Sequence, residues 1–445
     1  MRAVVITQLA PPDPARDRHG VYRRLALFVQ GIGRVCQDVE IVHIARQPRL
    51  SPVASTICRD SLNEYWGAPV VTRSIRCDEA PRRLWQAAHA LFDIRYRGGY
   101  RPLLGAAQMQ ALRVILADRP DIVFAHRLPV MTVLMRIAER APPVFFDLDD
   151  IEHRVKLRAA RSAQSPVERW RRLAEVPALI RTERRAIRAA ARTFVCSEID
   201  RAYLASQGYD ARRTTVIANS VPMPERVAPL PERKTILFLG NYGYPPNAEA
   251  AQRLIASIWP KIRPRVEGAQ LIVAGDNPDK IPSFHTRPPG VEFTGFVSDL
   301  GALYARTTLV CCPIENGGGT RVKLIEAAGF GRPIVATPVA AEGLSLEPGR
   351  DILLCERDDD LAATCVALLE NEDEARALGQ SARRKAQSNY AFDQIRDEIA
   401  NDLDSWFAAK PRRAGGAQII GYESGVHRAR IAPDDAAVSS SLERP

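Results

Sequence analysis

Between Gly317 and Glu326 the chain reads GGGTRVKLIE: three glycines, a threonine, an arginine, a lysine and, three residues after the lysine, a glutamate. A strand-like run, LVCCPI, precedes the stretch and a helix-like run follows it. Glycines let backbone N–H groups close on an anion, and a helix start adds a partial positive charge. A structural turn needs one glycine and three cost backbone entropy, so Gly317, Gly318 and Gly319 read as a phosphate or diphosphate cradle. Thr320 suits a helix N-cap, and a helix starting there puts Lys323 and Glu326 on one face. Lys323 is then assigned to a phosphate. Arg321 diverges from it by roughly 200° and reaches the phosphate from the first turn or points elsewhere. A carboxylate such as Glu326 can accept two hydrogen bonds from a vicinal diol. The plainer reading is a loop followed by a solvated Lys–Glu pair.

A second constellation is VFFDLDDIEHR, which sets Asp147, Asp149, Asp150, Glu152 and His153 at the end of a strand. Carboxylates there suit sugar hydroxyls or base chemistry. Asp149 is taken as the catalytic candidate and Asp150 as an acceptor-side group. Capping of the basic helix that follows competes for Asp150 and Glu152. The spacing invites a divalent ion, but no second acidic cluster completes a site, and none is assigned. His126, in FAHRLP, ends another strand and is a candidate for the acceptor side, although a lone histidine is more often structural. GIGRVC, at Gly31, lacks the third glycine of a dinucleotide fingerprint and is discarded.

The elements that must hold these groups alternate strand and helix. Strands are expected at 3–7, 40–44, 122–125, 144–147, 193–196 and 215–217, with helices near 22–31 and 109–117. VPMPERVAPLPERK, residues 221–234, holds four prolines and reads as a linker. The alternation then restarts, with strands at 235–239, 270–274, 291–294, 309–313, 334–337 and 352–355. Helices begin near Asn247 and Thr320, and one spans 372–409. The expected fold is α/β, two doubly wound Rossmann-like domains facing across a cleft. Residues 1–220 form the acceptor-side domain and 235–390 the donor-side domain. The stretch 391–409 is a final helix crossing back to the first domain, and 410–445 is a disordered tail. The run 86–112 is broken by glycines and proline and resists assignment.

Composition narrows the class. The 445 residues are 46% apolar, and no run approaches a membrane span. The N-terminal apolar run is too short for a signal peptide, so the expected location is the cytoplasm or the inner surface of its membrane. Eight cysteines without a CxxC pair suggest buried thiols, with no metal and no disulfide framework. Of the net charge of +10, a large part is local: twelve Arg/Lys face three Glu between Arg154 and Arg192. With Trp170 among them, an anionic membrane surface is one partner and a solvated helical face is the alternative. Nucleic acid is disfavoured because aromatics do not interleave the arginines.

CPIENGGGTRVKLIEAAGFGRPIVATPVAAEGL resembles the donor segment of family-4-type (group 1) glycosyltransferases, in the branch with a GGGTRxKxxEA signature. FLGNYGYPPNAEAAQRLI, LIVAGDNP and VEFTGFVSDL match that branch's landmarks in order. The resemblance covers 235–344 well and the first half weakly. It implies the glycosyltransferase-B fold, a nucleotide-sugar donor as substrate without cofactor or metal, retention of configuration, and a glycan or lipid-linked acceptor in polysaccharide or glycoconjugate synthesis. It gives Glu326 the ribose and puts the pair's other glutamate at Gly318, where this chain has none. Relatives place an Arg and a Lys after the first strand of the second domain. Here the loop after Gly240 is Asn241-Tyr242-Gly243-Tyr244, without a cation, so Arg321 and Lys323 are expected to meet the diphosphate. Gly240, Asn241 and Asn247 would border the donor, Asn247 being equally an N-cap. Gly275 permits close approach to a nucleotide or is a plain strand-end turn. Where relatives carry a Gly-Gly loop in the first domain, His19 and Gly20 remain. Rival readings are a nucleotide-sugar epimerase and a non-catalytic partner protein that kept the fold.

Overall fold

The computed structural model describes residues 1–9, 20–45, 59–76, 105–137, 142–161, 163 and 165–409. His19, most of the run 86–112 and the tail from 410 lie outside these residues. The first sheet has seven strands: β1 (Arg2–Thr7), β2 (Asp38–Ala45), β3 (Val70–Arg76), β4 (Ile122–His126), β5 (Val144–Asp149), β6 (Arg192–Val195) and β7 (Thr214–Val216). Their order is β3-β2-β1-β4-β5-β6-β7, and every pairing is parallel. The second sheet has six: β8 (Thr235–Leu239), β9 (Gln270–Ala274), β10 (Val291–Gly295), β11 (Leu309–Cys312), β12 (Ile334–Ala336) and β13 (Leu353–Leu354). It is also parallel, in the order β10-β9-β8-β11-β12-β13. Each sheet therefore reverses its winding beside its own first strand, between β1 and β4 and between β8 and β11. Ligands of open α/β sheets bind beyond the carboxyl ends of the strands at such points.

Strands covered on both faces must be apolar throughout. In β1, Val4 and Ile6 enter one core with Val123 and Phe146, while Ala3 and Val5 enter the opposite core with Phe124 and Phe145. This is the twofold alternation of a strand buried between two helical layers. β3, with sequence VVTRSIR, lies outside the strands expected from sequence; it is an edge strand in which Thr72, Arg73 and Ser74 interrupt the apolar residues.

The run 372–409 is two helices, Glu372–Asn389 and Phe392–Ala408, a correction to the single helix read from its periodicity. The break falls at Tyr390, whose hydroxyl is tied to Ser345, 2.5 Å from its N and 2.7 Å from its Oγ. The last helix sends Ile395, Ile399 and Leu403 into the first domain's core, and Trp406 meets Phe145 edge-on at 4.9 Å. Gly31 is the point of close approach: a Cβ there would lie 2.6 Å from Ile399 Cγ2. The proline-rich stretch is strapped to the second domain by two arginines. Arg332 donates to the carbonyls of Ala228 and Pro229, and Arg383 to those of Pro224 and Glu225. Val221 and Ala391 pair side by side where the chain crosses between domains.

Candidate functional site

The glycine stretch follows β11 and leads into the helix Val322–Gly329. The helix starts two residues later than the sequence suggests. Gly319 takes φ 64° and Arg321 stays extended, with φ −83° and ψ 94°. Thr320 is thus no N-cap; its hydroxyl accepts a hydrogen bond from Asn219 Nδ2 of the first domain at 2.8 Å. Arg321 turns back on the loop, donating to the carbonyls of Gly318, Gly319 and Asn316. Arg158 donates to Gly317 O at 2.6 Å. With these carbonyls occupied, the amides of Gly317 and Gly319 donate to no backbone acceptor among the described residues.

Lys323 stands one helical step further in, at the carboxyl end of β8. Its Nζ donates to Asn247 Oδ1 at 2.7 Å and lies 4.5 Å from the centre of the Phe238 ring. A Cβ on Gly240 would come within 3.0 Å of that Nζ, so glycine keeps the ammonium's place open. Burial lowers the Lys323 pKa to about 8, offset in part by the Cys312 thiol. Asn241 O accepts from Asn247 Nδ2 at 2.9 Å, and Asn241 Oδ1 accepts from Asn277 Nδ2 at 3.0 Å. Asn241, Asn247 and Lys323 therefore form one chain of contacts. The helix holding Asn247 begins at Pro245, with Tyr244 and not Asn247 at its N-cap. Gly275, at φ 128°, answers to packing: a Cβ there would lie 1.8 Å from Gly240 O. That is a backbone crossing and accounts for the residue without a ligand.

Glu326 is buried and paired with Arg23 of the first domain's opening helix, Gly20–Val35. Gly20 meets the second domain as well, since a Cβ there would lie 3.0 Å from Val322 Cγ2. Gly318, the position the resemblance assigns to a second glutamate, has no room for a side chain. A Cβ would fall 2.2 Å from Val155 Cγ2 and 2.8 Å from Asp150 Oδ1. Arg23, Arg158 and Asp150 reach the glycine loop and its helix from the opposite domain. The sequence singled out only Asp150 among them; Arg23 stood unremarked in HGVYRR.

Across the cleft, β4 and β5 end in two non-glycine residues with positive φ, Arg127 (71°) and Asp149 (54°). Strain of this kind gathers at binding sites and costs on the order of 1–3 kcal/mol per residue. Arg127 Nε meets Asp149 Oδ2 at 3.2 Å. Arg24, fully buried, grips Asp147 with Nε at 3.0 Å and Nη2 at 2.7 Å, and donates to Ile217 O at 2.8 Å. Against the upward push of burial, Arg127 and Arg24 hold Asp149 below the ordinary carboxylate range. Asp150 moves the other way: burial, then the charge of Asp149, raises it to about 6. Its Oδ1 has no hydrogen-bond partner among the described residues. Neighbouring carboxyls pushed apart in this way can divide proton donor from anion.

His126 is buried and neutral, its pKa lowered to about 3 by burial and by Arg127. Its Nδ1 meets Thr7 Oγ1 at 2.9 Å, and its Nε2 has no partner among the described residues. His153 is locked between Glu183 and the Tyr203 hydroxyl. Among the described residues no group of three His, Cys, Asp or Glu side chains could hold a metal ion. No described helix is long and apolar enough to cross a membrane.

Residues 233–371 match the family described as glycosyl transferases group 1. The chain as a whole shares its fold with solved structures. One is HepE of Anabaena, in complex with UDP and glucose, at 16% identity and TM-score 0.62, covering 91% of this chain and 99% of that one. Another is sucrose-phosphate synthase of Thermosynechococcus elongatus, at 16% identity and TM-score 0.67, covering 92% and 100%. A third is a mutant of TarM from S. aureus, at 10% identity and TM-score 0.61, covering 92% and 99%. No curated protein sequence matches this chain. An architecture of two doubly wound domains is thus common to these solved structures and this chain.

Proposed function

We propose that the protein moves a sugar from a nucleotide sugar to a glycan or lipid-linked acceptor, with retention of configuration and without a metal. The observation that carries this reading is Lys323. A desolvated ammonium stands at the carboxyl end of β8, beside a glycine loop with open amides and at a helix N-terminus. This arrangement suits a diphosphate leaving group, whose charge such donors stabilise as it develops. Arg321 serves the loop by occupying its carbonyls, and the cation added to Lys323 is Arg23. On donor binding Arg23 passes from Glu326 to the diphosphate, and Glu326 turns to the ribose diol. Asp150, with an open Oδ1 beside Gly318 and Gly319, takes a hydroxyl of the donor sugar in place of the glutamate that cannot fit. Asp149 and His126 border the acceptor. Support for a nucleotide-sugar donor also comes from the UDP and UDP-glucose held by HepE.

Calorimetric titration with UDP, GDP and ADP, without metal and then with magnesium, tests this directly. One diphosphate should bind without metal, and Lys323→Ala should weaken it at least about tenfold, as expected for a charge-assisted hydrogen bond. Failure of all three to bind would favour a partner protein that lost its chemistry. Turnover of donor without an acceptor to an isomeric sugar would favour an epimerase.

A further inference from the structure

The long helix Pro166–Ala189 packs mainly one side inward, through Val176, Leu179, Glu183, Ala186 and Ile187, with Ala178 buried away from that side. On the outer side Val167 is 77% exposed, Trp170 73% and Leu173 40%. Three large apolar side chains so exposed, one turn apart, form a patch and not scattered surface residues. Arg181, Arg184 and Arg188 are also exposed. At ~100° per residue all six fall within a sector of about 120°, so the apolar and basic halves share one line along the helix. Arg169 and Arg171 flank the apolar half. Among the described residues Arg169, Arg171, Arg184 and Arg188 make no ion pair, whereas Arg172 is paired with Glu168 at 2.6 Å.

We propose that this face docks on an anionic lipid surface, with Trp170, Val167 and Leu173 entering the headgroup boundary and the arginines meeting lipid phosphates or carboxylates. Charge complementarity selects the occupant. A helix with a tryptophan-led apolar end and unpaired arginines fits an interfacial helix better than a protein groove. A nucleic acid would use the arginines and leave Val167 and Leu173 in water. The position of the face also matters. The helix Glu152–Arg161 is tied to this one by Lys156–Glu175 at 2.6 Å, and its Arg158 reaches the glycine loop. A docked face therefore puts the cleft close to the membrane plane. The inference deepens the proposed function by favouring a lipid-linked acceptor, and rests on that reading only for the acceptor.

The test is flotation of the full-length protein with vesicles of phosphatidylcholine alone or with a third phosphatidylglycerol. Binding is expected only to the anionic vesicles, weakened by 0.5 M salt on the order of tenfold or more as surface charge is screened. Trp170→Glu with Val167→Glu should abolish it, and each of Arg184→Gln and Arg188→Gln should weaken it about fivefold. Nucleoside diphosphate binding, measured in parallel, should be unchanged in all variants. The proposal is overturned by failure of the wild type to float with anionic vesicles, or by unaltered flotation of the glutamate variant. A dimer that the glutamate substitutions dissociate, without vesicle binding, would assign the face to a second copy. Binding to RNA without binding to vesicles would assign it to nucleic acid.

Discussion

The two sheets reverse at equivalent points and face each other there with opposite chemistry. Beyond β8 and β11 stand glycines, asparagines and one desolvated lysine. Beyond β4 and β5 stand carboxylates, gripped by the buried Arg24 and the half-buried Arg127, and a neutral histidine. The second sheet offers backbone, a lysine and an arginine folded onto the loop's carbonyls; the first offers side chains held rigid by ion pairs. An anionic leaving group and a neutral polyhydroxyl partner call for this division, because amides and an ammonium attract a phosphate while carboxylates accept from hydroxyls. Under the proposed function, a fold repeated twice takes two roles through the residues at its strand ends.

The sharpest way to break the comparison is to remove the rigidity of the first side. Asp147→Ala leaves the fully buried Arg24 without its closest ion-pair partner, and should cost about 3–5 kcal/mol of stability in a denaturant melt. A shift below 1 kcal/mol would mean the pair is not what fixes this end of the sheet. On the second side Lys323→Ala should leave the fold intact and reduce diphosphate affinity about ten- to hundredfold, with Lys323→Arg recovering most of it. Equal loss in both variants would point to packing in place of charge.

The meeting line of the two sides offers a subtler probe. Gly318→Ala pushes a methyl into Val155 and Asp150, and should slow donor hydrolysis about tenfold by misplacing the domains. Adding Val155→Ala should restore part of the rate; no recovery would shift the blame to Asp150. The smallest expected effect is one of pH. Lys323 is charged below its pKa of about 8 and loses its proton as pH rises through that value. Diphosphate affinity should therefore be full at pH 7 and fall severalfold by pH 9 by calorimetry, with the fall absent in Lys323→Arg. A profile flat in the wild type would remove the lysine from the site.

Much of the second domain is visible in sequence because its strands are short apolar runs bounded by proline, glycine or charge. Thr235–Leu239 and Gln270–Ala274 are read to the residue. β3 hides because arginine and threonine interrupt it. The start of the helix at Val322 was masked by a threonine that looks like a cap, when Gly319 and the extended Arg321 delay the helix. The cross-cleft contacts have no sequence signature. Arg23 and Glu326 are 303 positions apart and Arg158 and Gly317 are 159 apart, so only the folded chain brings them together. Gly275 shows the reverse: a glycine that could suggest a ligand by sequence is accounted for by packing against Gly240, and Gly31, whose partial fingerprint the sequence already excludes, by packing against Ile399.

The pairing of Val221 with Ala391 makes the second domain an insert. The chain leaves the first domain and returns to it through neighbouring residues, and the helix Phe392–Ala408 completes the first domain's core after that return. Everything from 222 to 390 then forms one exchangeable cassette, carrying its proline strap with it. Under the proposed function, a related domain spliced between these two adjacent cut points would alter the donor while the segments on either side stay packed in one core.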